Sequence, residues 1–253
     1  MTESSLEGLE TTTMAERPEL LELMEPALEA AFPEFLNHDA VWFECWPALL
    51  DNWPELHVFV VEEGREAPLA MVSAVPIAWD GTPEGLPPGT HATMRQSLAE
   101  HAKGTEQNTT CGIQGVMDPE ALGRGLGTAV MEAFFTNSKR LGYEHLLSPI
   151  RPTAKQDYPT IPLDHYANWT LPDGEPMDPW LRLQTRAGGK VLGVCHDSLV
   201  MDAPVADWEE WTGLVFPEDG SYVIPDGHEL LVVDRAADNG HYSEAHVWFS
   251  YVR

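Results

Sequence analysis

TTCGIQGVMDPEALGRGLGTAVMEAFF, residues 109–135, decides the fold. Gly112 to Met117 alternates small or polar residues with apolar ones and reads as a strand that Pro119 ends. Gly123, Gly125 and Gly127 then alternate with Leu122, Arg124 and Leu126 in a turn. From Thr128 the pattern is helical. Leu126, Val130 and Phe134 share one face, with Met131 and Phe135 beside them. Gly142, after Lys139, Arg140 and Leu141, reads as the stop, and the two basic residues suit the negative end of the helix dipole.

Glycine at every second position removes side chains where a ligand must lie against the backbone. The turn feeds a helix N-terminus, whose unpaired N–H groups and positive dipole favour an anion such as a pyrophosphate. Arg124 could add one charge. The segment lacks the spacing of a dinucleotide fingerprint, and no GK[ST] follows. The alternative reading is a Gly-rich turn that lets helix and strand pack closely.

Val116-Met117-Asp118-Pro119-Glu120-Ala121-Leu122-Gly123-Arg124-Gly125-Leu126-Gly127 resembles the acetyl-CoA motif of the GNAT superfamily of N-acyltransferases. That motif is an apolar strand, a proline, then Arg/Gln-x-x-Gly-x-Gly/Ala opening a helix. Leu122 departs, standing where the family usually has Arg or Gln. A second segment, Thr185 to Gly193 (TRAGGKVLG), resembles the family's late Tyr-Glu-Lys-x-Gly-Phe-x-x-x-Gly stretch. Here Gln184 stands at the position of the Tyr that commonly serves as general acid, and Gly189 replaces the Phe.

The resemblance implies an α/β fold with a mixed, mostly antiparallel central sheet flanked by helices. It implies acetyl-CoA or a related acyl-CoA as co-substrate, and acyl transfer to the amine of a small molecule. Backbone groups at Val116 and Met117 would hold the pantetheine, and Leu122, Gly123, Arg124, Gly125, Leu126, Gly127 and Thr128 would hold the pyrophosphate. The two strands flanking the central helix would splay apart to admit the pantetheine arm.

The whole 253-residue chain bounds this reading. A net charge of −27 opposes sequence-independent binding to nucleic acid or anionic membrane. It suits a cationic or amine-bearing acceptor, or merely solubility. No run approaches the ~20 apolar residues of a membrane span. MTESSLEGLETTT is acidic and polar, unlike a secretory signal. Cys45, Cys111 and Cys195 are odd in number and far apart, as expected of reduced thiols in a cytoplasm, with no metal spacing among them.

Along the chain, Leu9–Thr13 reads as an edge strand. A helix from Pro18 buries Leu20, Leu21, Met24, Leu28 and Ala31. A second helix, capped by Asn37 or Asp39, carries Trp42 and Trp46. Residues 56–61 and 69–77 form a hairpin. Residues 80–108 read as a long loop, suited to a lid or binding loop, that holds a short helix over Thr90 to Lys103 with Met94 and Leu98 near one face. Tyr143–Ile150 is the next strand, giving a right-handed crossover.

Seven prolines between 149 and 179, with Tyr158, His165, Tyr166 and Trp169, mark an ordered insertion over about 151–179. A short helix from Asp178 precedes two strands, 190–194 and 198–202. Residues 1–202 are expected to form the core. Residues 203–253 are expected to form a small β extension packed on it, adding a cap or hairpin to the sheet or covering its edge.

For proton transfer the candidates are His145, His196, Tyr158 and Tyr166. Gln114 sits on the central strand but cannot act as a base. Cys111 reads as a small buried side chain. The first alternative is an acyl-CoA-binding sensor with degenerate chemistry, motivated by Leu122 and Gln184. The second is an interaction module, a homodimer through the Trp-rich tail.

Overall fold

The computed structural model describes residues 8–251. Four strands open the chain: β1 (Leu9–Thr13), β2 (His57–Glu62), β3 (Ala70–Ile77) and β4 (Thr109–Met117). They pair antiparallel in sequence order. β5 (His145–Ile150) joins β4 in parallel, and β9 (Asn239–Tyr251) continues antiparallel beyond β5. β6 (Gly189–Ala203), β8 (Leu231–Asp234) and β7 (Gly220–Tyr222) complete a nine-stranded sheet. Only the β4–β5 step is parallel among the described strands, so the sheet is mixed and mostly antiparallel, as expected.

Helices α1 (Leu20–Ala31), α2 (Ala40–Asn52) and α3 (Thr90–Lys103) cover one face. α1 buries Leu20, Met24 and Ala27 against Phe59, Met71 and Val116. This stripe differs from the expected one at its end, where Ala31 is exposed. Asp39, not Asn37, caps α2, accepting from the Val41 and Trp42 amides at 2.9 and 3.2 Å. Its other oxygen meets His91 Nε2 of α3 at 2.6 Å, which ties α2 to α3.

α3 is the helix expected within residues 80–108; it runs for 14 residues and buries Met94 in the core. Thr90 fastens its start to β6 through Ser198 Oγ, at 3.0 Å from its N–H and 3.1 Å from its hydroxyl. A segment so packed is scaffold and not a lid, with Thr90, His91, Thr93 and Ser97 buried on its inner side.

α4 (Gly127–Arg140) and α6 (Pro179–Arg186) lie across the opposite face. Val130, Phe134 and Phe135 of α4 and Leu181 of α6 enter the main core. The insertion is ordered. Its short helix α5 (Leu163–Tyr166) and Trp169 form an aromatic group with Tyr158.

Two further expectations change. Residues 190–194 and 198–202 belong to one long strand, β6, whose register with β9 shifts between Cys195 and Leu199. Residues 203–253 do more than cover an edge. β9 runs between β5 and β6 inside the sheet, while α7 (Val205–Thr212), β7 and β8 form an excursion with its own core of Phe35, Trp208, Phe216 and Tyr242.

Candidate active site

β4 and β5 separate within the sheet. They pair only from Thr109–Cys111 against His145–Leu147. Beyond that point β4 stays with β3 as far as Met117, whereas β5 stays with β9 as far as Ile150. At the fork the Ser148 hydroxyl donates to the Gly112 carbonyl at 2.7 Å. A bulge at Ile113 interrupts the β3–β4 register just after the fork and turns the later half of β4. The expected splay is present, and it leaves Gly112–Met117 with one open edge.

Alternation along a strand decides which amides face that edge. Asp118 N–H donates to Leu69 O, on the β3 side. The Met117 and Gly115 groups therefore point into the gap, and those of Val116 point to β3. Of the two expected pantetheine contacts, Met117 is placed for backbone bonding. Val116 instead buries its side chain beneath α1.

Serine 148 supports the fork with a single neutral hydrogen bond. Ser148→Ala should cost about 1 kcal/mol, the usual net worth of such a bond. Urea unfolding would show it as a lower midpoint at unchanged slope.

The turn after β4 is held from outside. Asp118 Oδ1 accepts from the Glu120 amide at 2.8 Å, and Oδ2 meets Arg65 at 3.0 Å. Gly123 and Gly125 both sit at φ +76°, in the left-handed region that a Cβ disfavours by roughly 1–2 kcal/mol. The amides of Gly123, Gly125, Leu126, Gly127, Thr128 and Ala129 find no acceptor among the described residues. Several donors at the positive end of a 14-residue helix make an anion seat.

Around this seat, Leu126 is buried, while Leu122 is 63 % exposed and offers no polar group. Arg124 pairs with Glu62, which holds that carboxyl below its usual range. Its charge is therefore partly spent on β2.

α6 closes the other side. A Cβ on Gly127 would lie 2.6 Å from Leu183 Cδ2, and one on Gly115 would lie 3.8 Å from the Trp180 ring. Glycine at 127 thus serves helix packing as well as the turn. Gly123 and Gly125, by contrast, have open space around them. On the flank toward β1, Gly125, Leu126 and Thr128 line a groove of about 500 Å³ with Thr11, Val60 and Arg140.

The four proton-transfer candidates are not brought together. His145 starts β5, at the end away from the fork, with its ring edge-on to Trp79. His196 is exposed and lies 3.7 Å from Asp164. Tyr158 is partly exposed and touches Tyr166 and Trp169. Tyr166 is buried and donates to Asp178 Oδ2 at 2.9 Å; burial and that carboxylate push its phenol far up. Tyr166 is thus a bolt between α5 and the cap of α6, because Asp178 also accepts from the Trp180 and Leu181 amides.

Gln184 is fully buried, and its Oε1 accepts from the Tyr251 hydroxyl at 2.5 Å. The Cys111 thiol is buried and pushed up by desolvation, so it is no nucleophile.

Sequence reasoning missed a buried ionic cluster just past the C-terminal end of β5. Glu244 of β9 is fully buried. Arg151 grips both its oxygens, Nε to Oε1 at 2.6 Å and Nη2 to Oε2 at 3.2 Å. Tyr242 donates to Oε2 at 2.6 Å, and His246 Nε2 lies 3.2 Å from Oε1. Burial pushes the Glu244 carboxyl up, but Arg151, His228 and His246 outweigh it, leaving it well below the usual range. Burial takes His228 down to about 3. Arg151 and Glu244 are 93 residues apart, so no local pattern could have paired them.

No protein-family model matches the chain. An arginine N-acetyltransferase of Aspergillus versicolor is 25 % identical over 267 residues, spanning 97 % of this chain and 91 % of that one. Among solved structures, the loading GNATL domain of CurA from Lyngbya majuscula superposes with a TM-score of 0.54 at 13 % identity, over 96 % of both chains. The GNAT-like decarboxylase GphF, solved with isobutyryl-CoA, gives 0.51 at 16 % identity, over 96 % of this chain and 98 % of that one. These two likenesses show a shared fold.

Proposed function

We propose that this chain, a member of the GNAT superfamily, is an acyl-CoA-dependent N-acyltransferase that acylates the amine of a small molecule. The observation that carries the reading is the fork between β4 and β5, opening beside a helix N-terminus with six unpaired amides. The pyrophosphate would lie on Gly123–Thr128. The pantetheine would run along the open edge of β4, with the Met117 backbone as its partner. The thioester carbonyl would then reach the fork, where the bulged residue Ile113 interrupts the β3–β4 register.

Acyl transfer needs the amine held against this carbonyl in its neutral form. The excess of 41 acidic over 14 basic residues raises the local concentration of a cationic acceptor. The similarity to an arginine N-acetyltransferase makes arginine the first acceptor to test. The buried, unpaired cysteines suit a reducing cytoplasm.

Acetyl-CoA should bind by calorimetry, and addition of arginine should release one thiol per acetylated product, read by thiol reagent and mass spectrometry. A second reading, acyl-CoA binding without transfer, is favoured by one observation. The residue at the expected proton-donor position, Gln184, is sealed beneath Tyr251 and can donate nothing to a leaving thiolate. Saturable binding with no thiol release over a panel of amines would select it. No binding at millimolar acetyl-CoA, in low and high salt, would overturn both.

A further inference from the structure

The gap between β4 and β5 has a closed inner end. The two strands last pair at Cys111 and Leu147. One residue further on, the hydrogen bond from Ser148 Oγ to the Gly112 carbonyl, 2.7 Å long, spans the opening. It is a side-chain clasp standing where the ladder's backbone bonds have stopped. Both of its residues are buried.

The space behind the clasp is filled. A Cβ on Gly112 would lie 3.3 Å from Ser148 Oγ, and 3.5 and 3.6 Å from the Phe134 ring. The room that a side chain would take at Gly112 is thus occupied from α4, at the close packing of a protein interior. Neighbouring residues on a strand point to opposite faces. Cys111 therefore turns the other way, where it is completely buried beside Thr93 of α3. The inner end is packed from both faces of the sheet.

The flank toward α6 is closed by one ring. Gly115 is exposed and brings no side chain to the gap. A Cβ there would meet nothing within 4 Å except the Trp180 ring, at 3.8 Å. Trp180 is held in place at the start of α6. Its amide donates to Asp178 Oδ1 at 2.9 Å, and Asp178 Oδ2 accepts from the Tyr166 hydroxyl and the Ala154 amide at 2.9 Å each. On the far strand, Ile150 shares the face of Ser148 and is buried.

The result is a slot with Trp180 and Gly115 on one side, Ile150 on the other, and the Ser148–Gly112 bond at its end. We propose that Ser148 and Trp180 set the length of the acyl group, making the protein selective for acetyl-CoA over acyl-CoA thioesters with longer chains.

The inference rests on the acyltransferase reading and deepens it by naming the donor. A thioester carbonyl at Ile113 leaves its acyl chain heading for the clasp, one residue away. A methyl group ends before it. Each further methylene must break the Ser148 bond or displace the indole, and packed interiors take extra methylenes only with strain. Ser148 and Trp180 thus act on selectivity and take no part in the bond changes of the transfer.

The test measures kcat/KM and affinity for acetyl-, propionyl- and butyryl-CoA in the wild type, Ser148→Gly and Trp180→Ala, with the amine that the wild type acetylates fastest. One methylene in a fitted apolar site is worth about 10–200-fold. Wild-type kcat/KM should therefore fall at least about tenfold from acetyl to propionyl, and further to butyryl. Ser148→Gly removes the clasp and Trp180→Ala removes the flank. Each should raise the propionyl-to-acetyl ratio about tenfold or more. Lost stability alone lowers activity with both donors alike and leaves that ratio where it was. Trp180 is partly exposed, so its variant decides the matter if Ser148→Gly does not fold.

Wild-type protein that uses butyryl-CoA as well as acetyl-CoA overturns the stop and leaves the acyltransferase reading standing. So does a ratio unmoved in the folded variants. Protein that binds acetyl-CoA and acylates no amine overturns the transferase reading, and the affinities for the three thioesters then test the stop without turnover. No binding of any of the three overturns both.

Discussion

Gly125→Glu should abolish measurable acetyl-CoA binding, with affinity falling at least ~100-fold, while the protein stays folded. Two effects add. The new carboxylate faces the same donors that would receive the pyrophosphate, so ligand and side chain compete with like charge. A Cβ at φ +76° also strains the turn, and the strain alone is worth roughly 1–2 kcal/mol. Nothing lies within 4 Å of the new Cβ, so the core need not move. Calorimetric titration beside circular dichroism separates the two outcomes. Retained affinity in a folded Gly125→Glu protein would remove the pyrophosphate from this turn. Gly127 could not serve in this test, because its substitution would collide with Leu183.

Arg151→Met should cost about 3–5 kcal/mol, the usual penalty for stranding a buried charge. For a chain of this size that lowers Tm by roughly 6–20 °C. Glu244 keeps Tyr242 and His246 as neighbours, yet it loses its only bidentate cation. The sign with pH follows from the depressed Glu244 carboxyl. In the wild type it contributes stability above the ordinary carboxylate pKa of ~4.3, and that contribution is lost as pH falls through the folded value. Without Arg151 the carboxyl prefers its proton. The gap between variant and wild type should therefore narrow on acidification, and Arg151→Met with Glu244→Gln should be more stable than Arg151→Met alone. Thermal melts from pH 8 to 4 would read this. A gap independent of pH would show that Arg151 acts by packing only.

Sequence reached the elements whose signals are local. The strand–turn–helix of residues 109–140 follows from alternation, left-handed glycines and a 3.6-residue period, all readable within one window. The edge strand Leu9–Thr13, the proline-rich insertion and the cap Asp178 were legible for the same reason. What failed was non-local. The irregular middle of β6, from Cys195 to Leu199, looked like a turn between two strands because its partner β9 could not be seen. The helix from Thr90 was legible, but its role as scaffold was not, because Thr90 and His91 find their partners only in the folded sheet.

The site divides in the same way. Gly123 and Gly125 announce themselves, whereas Glu244 lies 93 residues from the Arg151 that pairs with it. His145 and Tyr166 were chosen by residue type, and type alone cannot tell a proton donor from a bolt.

The placement of β9 bears on how the protein is made. It follows every other described strand, yet it lies between β5 and β6. During synthesis at about 5–20 residues per second, β1–β5 can assemble as they emerge. β5 must then wait with a bare edge while nearly a hundred further residues leave the ribosome. β6 has no partner until β9 arrives. The nascent chain therefore carries two unpaired strand edges until β9 is made, and that interval is when chaperone demand and mispairing between neighbouring nascent chains should peak.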